Sequence, residues 1–340
     1  MGVPKVALYL SVGCFIFIYS CKRNIYRINI SSVKVNVEIK RLETDLFGTD
    51  PSELAGKIPY LREKYGPFLQ LFSYIIRTGN INDSVFSDNL ARFCTDRQNY
   101  EVYESVIKVY PDVKFLETAL RDAFRHYKYY FPSRKIPGLF TCITGFNNSI
   151  ITADSALGIS LDMYLGRSSR YYSGLGIYDY LSARMNSWNI VPDCIYSWGS
   201  TEWNFPDLKY SADNVIAEMI HEGKLKYFEK CMLPLVNDTL IFGFTAGQMQ
   251  FCRNNENRMW QYLIENDLLF STDQLTIHKL TGEAPFTSYF TTESPGKASV
   301  WIGFRIVESY MKKNKEVTLQ YLMMDNDVQG ILEKAKYSPQ

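Results

Sequence analysis

The most informative segment of the sequence is Ala217-Glu-Met-Ile-His221-Glu-Gly-Lys-Leu-Lys226. Val215 and Met219, in and just before it, are four positions apart, and Ile220 follows directly after Met219. This spacing places them on one side of an α-helix and predicts that this side packs inward. We expect the helix to begin near Asp213, with Asp213 or Ser211 as its N-cap.

The same stretch resembles a metal-binding pattern. In the motif H-E-x-x-H, two histidines four residues apart bind one zinc ion, and the glutamate acts as a general base toward the zinc-bound water. Here Ala217 takes the place of the first histidine, Glu218 that of the base and His221 that of the second ligand. Because alanine cannot bind a metal, we expect a degenerate active-site-like motif with no catalytic residue, no metal and no cofactor.

The remaining histidines do not repair the motif. The chain has 3 histidines in all, and neither His126 nor His278 lies in a ligand-like spacing. The alternative is a hydrolase with unusual ligands, in which Glu218 and His221 are joined by a distant carboxylate.

Without a metal, the polar side chains of this helix need other partners. Glu222 and Lys226 are four residues apart, which predicts an ion pair along the helix. Glu218 and His221 are expected to form a hydrogen-bonded pair that lines the former cleft, with the carboxylate favouring a protonated or well-oriented imidazole.

Composition is that of an ordinary globular protein. Of the 340 residues, 46% are hydrophobic and 21% are charged, which suits one large domain or two moderate ones. The 37 Lys and Arg residues nearly balance the 36 Asp and Glu residues, giving a net charge of +1. No overall field attracts polyanions, so we expect no nucleic-acid partner.

The N-terminus is typical of a bacterial lipoprotein signal peptide. Lys5 precedes an apolar run at 6–19, which is too short for a comfortable bilayer span but long enough for the core of a signal peptide. The run ends at Ile18-Tyr-Ser-Cys21, which resembles a lipobox. We therefore predict a signal peptide at 1–20 and lipidation of Cys21. The alternative is an uncleaved anchor or a soluble secreted protein.

The predicted lipid anchor indicates where in the cell the protein is expected to be. No other segment approaches the length of a transmembrane helix. We expect a protein of the cell envelope that is attached to a membrane through the lipid on Cys21 and faces the periplasm, with the leaflet left open. A tether at 21–32 would join the anchor to a single domain at 33–340, with a helical N-terminal subdomain at 33–131 as an option.

Patterning along this domain predicts an α+β fold that is mainly helical, with a small mixed or antiparallel sheet. Strands are predicted at 33–40, 138–146, 149–152 and 157–165, the second and third around a turn at Asn147-Asn148. Helices are predicted at 51–64, 67–77, 83–93, 112–130, 245–267, 272–280 and 325–336, and Ile190-Val-Pro192 is interpreted as a break.

Two further residue types carry structural predictions. Gly303 lies inside an apolar helical stretch, where it is expected to seat its helix closely against a neighbour. Five cysteines follow Cys21 without any C-x-x-C pair, which excludes a zinc knuckle and favours small buried hydrophobic residues. They are Cys94, Cys142, Cys194, Cys231 and Cys252.

Several blocks, taken in their order and spacing, resemble the gliding-motility lipoprotein family GldB. The blocks are 39–47, 157–166, 218–224 with Tyr227-Phe228 and Leu233-Pro234, 284–287, 293–296 and 301–303. The resemblance implies a lipid-anchored envelope protein associated with gliding and, indirectly, with the surface-secretion machinery. It also implies a zincin-like fold, in which the strand at 157–165 corresponds to the one that aligns the substrate in active zincins.

We therefore expect a non-catalytic, lipid-anchored envelope protein of the gliding-motility type, with other envelope proteins as partners. Two alternatives stay open. One is a metallopeptidase-like hydrolase that is zinc-independent or uses unusual ligands, and the other is a peptide-binding periplasmic lipoprotein whose old substrate cleft holds an unfolded peptide.

Overall fold

The computed structural model describes residues 24–340, so the predicted signal peptide at 1–20 and Cys21 lie outside the described residues. The first helices and strand are β1 (Ile39–Arg41), α1 (Leu42–Phe47), α2 (Leu54–Tyr65), α3 (Pro67–Ile75), α4 (Phe86–Thr95), α5 (Arg97–Val109) and α6 (Lys114–Tyr130). Three strands follow, β2 (Gly138–Cys142), β3 (Ile150–Ala153) and β4 (Ala156–Ser160). The remaining helices are α7 (Arg170–Gly174), α8 (Asp179–Ser182), α9 (Ile190–Glu202), α10 (Val215–Met232), α11 (Asp238–Phe242), α12 (Ala246–Asn254), α13 (Glu256–Glu265), α14 (Gln274–Thr281), α15 (Ala298–Lys313), α16 (Leu319–Met324) and α17 (Val328–Ala335). Short 3-10 helices lie at Pro51–Glu53, Leu161–Tyr164, Ser187–Asn189 and Phe205–Leu208.

The four strands form one small mixed sheet in the order β1-β2-β4-β3. β1 is parallel to β2 and β2 is parallel to β4, whereas β3 is antiparallel to β4. This architecture confirms the predicted fold class, α+β and mainly helical with a small sheet. The second and third strands were predicted to lie on either side of a turn at Asn147-Asn148. In the sheet β4 lies between these two strands, which was not predicted.

Strand β4 ends earlier than the predicted strand at 157–165. The chain turns into a 3-10 helix at Leu161–Tyr164, because the buried carboxylate of Asp162 binds the preceding loop. It accepts hydrogen bonds from the backbone amides of Phe146 at 2.7 Å and Thr144 at 3.2 Å. The apolar alternation continues past the strand because this turn also buries side chains, so the pattern could not mark where the strand ends.

Other boundaries are corrected as well. Only Ile39 and Lys40 of the first predicted strand at 33–40 lie in β1, and α5 was not predicted at all. Pro192 does not break the chain but lies in the first turn of α9, where a missing N–H costs no helical hydrogen bond. The predicted helix at 245–267 is divided into α12 and α13 at Asn255.

The segment that precedes the sheet packs on the body. The side-chain amide of Asn24 donates a hydrogen bond of 2.7 Å to the carbonyl oxygen of Pro234. Tyr26 is buried, and its hydroxyl donates to Glu308 at 2.8 Å. Asn24 and Tyr26, which belong to the predicted tether at 21–32, therefore contact the body, whereas most of residues 27–32 are exposed.

The core is organised around the contact between α10 and α15. A Cβ atom placed on Gly303 of α15 would overlap the carbonyl oxygen of Met219 on α10. A Cβ atom on Gly223 of α10 would lie 2.7 Å from the backbone nitrogen of Phe304. The two backbones thus touch where neither residue has a side chain, which confirms the prediction for Gly303.

The cysteines of the described chain behave as core residues. Cys94, Cys142, Cys194, Cys231 and Cys252 are all buried and free. This confirms their predicted use as small hydrophobic side chains.

Candidate functional site

The candidate site is helix α10, which carries the motif. Asn214, not Asp213 or Ser211, caps it: the Asn214 side chain accepts a 3.0 Å hydrogen bond from the amide of Ala217. The amides of Val215 and Ile216 donate to carbonyl oxygens of the segment before α14. The first four backbone amides of a helix have no acceptor within the helix. Three of these four amides therefore have hydrogen-bond partners at the N-terminus of α10.

The two ligand positions of the motif point into packed surroundings. Ala217 is part of the hydrophobic core. His221 is buried, its ring stands edge-on to Phe205 and Tyr210, and its Nδ1 atom lies 3.2 Å from the Tyr210 hydroxyl. Burial, and then the charge of Lys224, lower the pKa of His221 to about 3, so the imidazole is neutral at physiological pH. The polar contact of His221 is therefore with Tyr210, not with Glu218 as predicted, and the imidazole is not protonated.

The carboxylates of the motif differ in their surroundings. Burial raises the pKa of Glu218 to about 7, and the negative charges of Glu222 and Asp213 add to this effect. Glu222 accepts hydrogen bonds of 2.9 and 3.0 Å from the Tyr196 hydroxyl. The predicted ion pair between Glu222 and Lys226 is not formed, because Lys226 lies deeper and has another partner.

That partner is Glu229, one turn further along α10. The Lys226 ammonium lies 2.9 Å from the Glu229 carboxylate, donates to the Ile241 carbonyl oxygen at 2.7 Å and lies 4.2 Å from the centre of the Tyr196 ring. Both charged side chains are almost fully buried. Burial raises the pKa of Glu229 to about 7, although Lys226 opposes this shift. The pair is a buried ion pair whose two charges depend on each other.

A second group of charges, on residues outside α10, forms a network of ion pairs. Arg184 forms ion pairs with Asp193 at 3.2 Å and Glu283 at 3.1 Å, and Glu283 also pairs with Lys297. The hydroxyl of Tyr164 donates to Asp193 at 2.9 Å. This network joins α9 to the loops before α9 and α15. This network was not predicted, because its members are distant in the chain and show no regular spacing.

The motif helix does not fit a catalytic zinc ion, which needs three protein ligands. His126 lies on α6 and donates to the carbonyl oxygen of Asp122 at 2.8 Å, and His278 lies on α14. Within residues 24–340, no group of three or more His, Cys, Asp and Glu side chains is placed so that it could hold a metal ion.

An apolar groove lies beyond the C-terminal end of α10. It has a volume of about 440 Å³ and is formed by α6, the start of α9 and the segment from Met232 to Leu240. Three apolar side chains of its lining remain largely exposed: Phe115 at 47%, Trp188 at 65% and Leu235 at 77%. We call this feature the apolar groove. Its presence was not predicted, because its walls come from three separate parts of the chain.

Fold and site together define a mainly helical α+β protein. The side chains of its motif helix, α10, take part in core packing and in a buried ion pair. A family model described as "Gliding motility protein GldB" matches residues 23–339. The chain belongs to this gliding-motility family, as the blocks of sequence predicted. No curated protein and no solved structure matches the chain. None of the described helices is both long and apolar enough to cross a membrane.

Proposed function

We propose that this protein is a non-catalytic, lipid-anchored component of the cell envelope that acts in gliding motility through contacts with other envelope proteins. In this proposal α10 keeps the position of a zinc-peptidase helix in a zincin-like fold but has lost its chemistry. The observation that carries the proposal is the burial of Ala217 in the core, together with the contact between His221 and the Tyr210 hydroxyl. Family membership supports the link to gliding motility.

The loss of chemistry predicts that the purified protein contains no stoichiometric zinc. Elemental analysis of the wild type and of His221→Ala is expected to give equally low zinc content, because no second imidazole is available at Ala217. About one zinc per chain, lost in His221→Ala, would instead support the hydrolase with unusual ligands.

The Glu218→Gln variant tests the general base. It is expected to support gliding as well as the wild type does, because the change keeps shape and removes only a proton acceptor.

The pKa of Glu218 is about 7 in the folded state and its ordinary value is 4.5, so the folded state binds the extra proton between these values. The wild type therefore loses stability as the pH rises through about 7, and Glu218→Gln does not. Urea unfolding at pH 5 and pH 9 should show the variant gaining relative to the wild type at pH 9.

The anchor is tested by Cys21→Ser. The variant is expected to accumulate as an unprocessed precursor or to leave the membrane fraction, because serine cannot be converted into the thioether-linked lipid. Fractionation and acyl labelling measure this directly. A Cys21→Ser protein that is processed and fractionates like the wild type, together with an unlabelled wild type, would rule out the anchor.

A further inference from the structure

The apolar groove lies beside the point where the described chain begins. Pro234, one of its lining residues, accepts the hydrogen bond from Asn24 at 2.7 Å. Two residues further on, Tyr26 is buried and bound to Glu308. The chain is therefore fixed at the edge of the groove before it passes into residues 1–23.

Chain length places Cys21 close to the same edge. Cys21 precedes Asn24 by three residues, and a residue spans at most about 3.6 Å, so the two Cα atoms are no more than about 11 Å apart. A lipid on Cys21 would hold this side of the body against the bilayer. Because Asn24 and Tyr26 are both bound to the body, only a short piece of chain separates the predicted lipid from this edge.

The exposed side chains of the groove fit such a neighbour. Trp188 and Leu235 are among the most exposed large apolar side chains in the described chain, at 65% and 77%. Tryptophan has an apolar ring system with one N–H donor, and it is enriched where a membrane meets water. Exposed apolar patches of this kind mark contact surfaces for proteins or membranes.

We propose that the apolar groove is the surface by which the protein lies on a lipid bilayer, with Trp188 and Leu235 inserted among the lipids. This inference rests on the proposed lipid anchor at Cys21, which selects the bilayer as the occupant. A second copy of the chain, or the protein's own acyl chains folded into the groove, are the competing occupants. Both would cover Trp188 and keep it away from the surrounding lipids.

Tryptophan fluorescence in brominated vesicles distinguishes these occupants. The purified full-length lipoprotein is reconstituted into phosphatidylcholine vesicles with or without bromine on the acyl chains, and the wild type is compared with Trp188→Phe. The chain has 5 tryptophans; of the others, Trp198, Trp203 and Trp301 are buried and Trp260 is partly buried on α13. Bromine is expected to quench a share of the wild-type emission that is absent from Trp188→Phe. Equal fractional quenching in the two proteins would overturn the inference.

A matched pair of variants tests the groove itself. Leu235→Gln removes an apolar side chain from the groove, whereas Leu275→Gln removes one that is 59% exposed on α14, the helix that packs near the start of α10. We expect Leu235→Gln to reduce the quenching of Trp188 and Leu275→Gln to leave it unchanged. Equal effects of the two changes would contradict insertion at the groove.

The anchor is measured separately, by mass spectrometry of the N-terminal peptide and by flotation with the vesicles. Acylated protein that floats but shows no quenching of Trp188 leaves the anchor intact and refutes the inference. Quenching of Trp188 in a protein without acyl groups on Cys21 refutes the anchor and retains the groove as a membrane-binding surface.

Discussion

Replacing Gly303 by leucine is expected to lower the free energy of unfolding by about 3 kcal/mol or more, the upper end of the usual range for overpacking. Ordinary overpacking is relieved when neighbouring side chains shift, but here the new atoms would meet the backbone of α10 at Met219. Since α10 is buried along nearly its whole length, the helix cannot move without disturbing the core. Urea unfolding followed by circular dichroism measures the change.

Gly303→Ala provides a second reading if the leucine variant does not fold. Alanine favours a helix over glycine by about 1 kcal/mol, so an unhindered site would gain stability. Even one methyl group overlaps the Met219 carbonyl oxygen, and a loss is expected. Gly56→Ala is the matched control, because Gly56 lies on an exposed face of α2 and, apart from its own stretch of helix backbone, nothing lies within 4 Å of its added Cβ. A gain at Gly303 equal to that at Gly56 would mean that the two backbones do not touch.

The contact between α10 and α15 also shows how far the sequence could predict this fold. Gly303 could be recognised because glycine is disfavoured inside an apolar helix unless close packing requires it. Its counterpart Gly223 was not predicted, because it lies within a stretch that was interpreted as a degenerate metal-binding motif. Helical spacing correctly placed Val215, Met219 and Ile220 in the core.

The polar side chains of α10 were harder to predict, since several of their partners come from other elements and Lys226 pairs with Glu229 rather than with Glu222. Local spacing favoured Glu222 with Lys226 and Glu218 with His221, but tertiary partners replaced both pairs. Tyr196 binds Glu222 and the Tyr210 hydroxyl lies beside His221, while burial decides which side chains carry charge. Rules based on spacing describe exposed helices, and α10 is a buried one.

The ends of strands and segments were also decided by contacts with distant parts of the chain. The apolar pattern at 157–165 was real, but hydrogen bonds to the Asp162 carboxylate end the strand after Ser160. The tether was predicted from its position after a signal peptide, and nothing in its sequence reveals that Tyr26 would be buried against Glu308. The apolar groove is formed by three separate parts of the chain, so it could not be predicted before the tertiary structure was known.

The second large effect is expected at the buried pair of α10. Lys226→Met should lower the free energy of unfolding by about 3 to 5 kcal/mol at neutral pH, because it leaves the Glu229 carboxylate buried without a cation. The carbonyl oxygen of Ile241 loses its donor at the same time. Burial already raises the pKa of Glu229, and removal of Lys226 takes away the charge that opposes this shift. As the pH falls, protonation of Glu229 removes the unpaired charge in the variant. The loss of free energy of unfolding in Lys226→Met should therefore be smaller at pH 5 than at pH 8.

Two further variants separate the cost of an unpaired charge from the loss of a favourable contact. Lys226→Met combined with Glu229→Met should be more stable than Lys226→Met alone, because replacing both members of a buried pair by apolar side chains is often neutral. Arg97→Met is the matched control: Arg97 pairs with Glu101 at 2.9 Å, but its side chain is 91% exposed. That change is expected to cost no more than about 1 kcal/mol. Urea unfolding of the four proteins at both pH values decides the matter, since a Lys226→Met deficit that equals that of Arg97→Met and does not vary with pH would mean that Glu229 carries no buried charge.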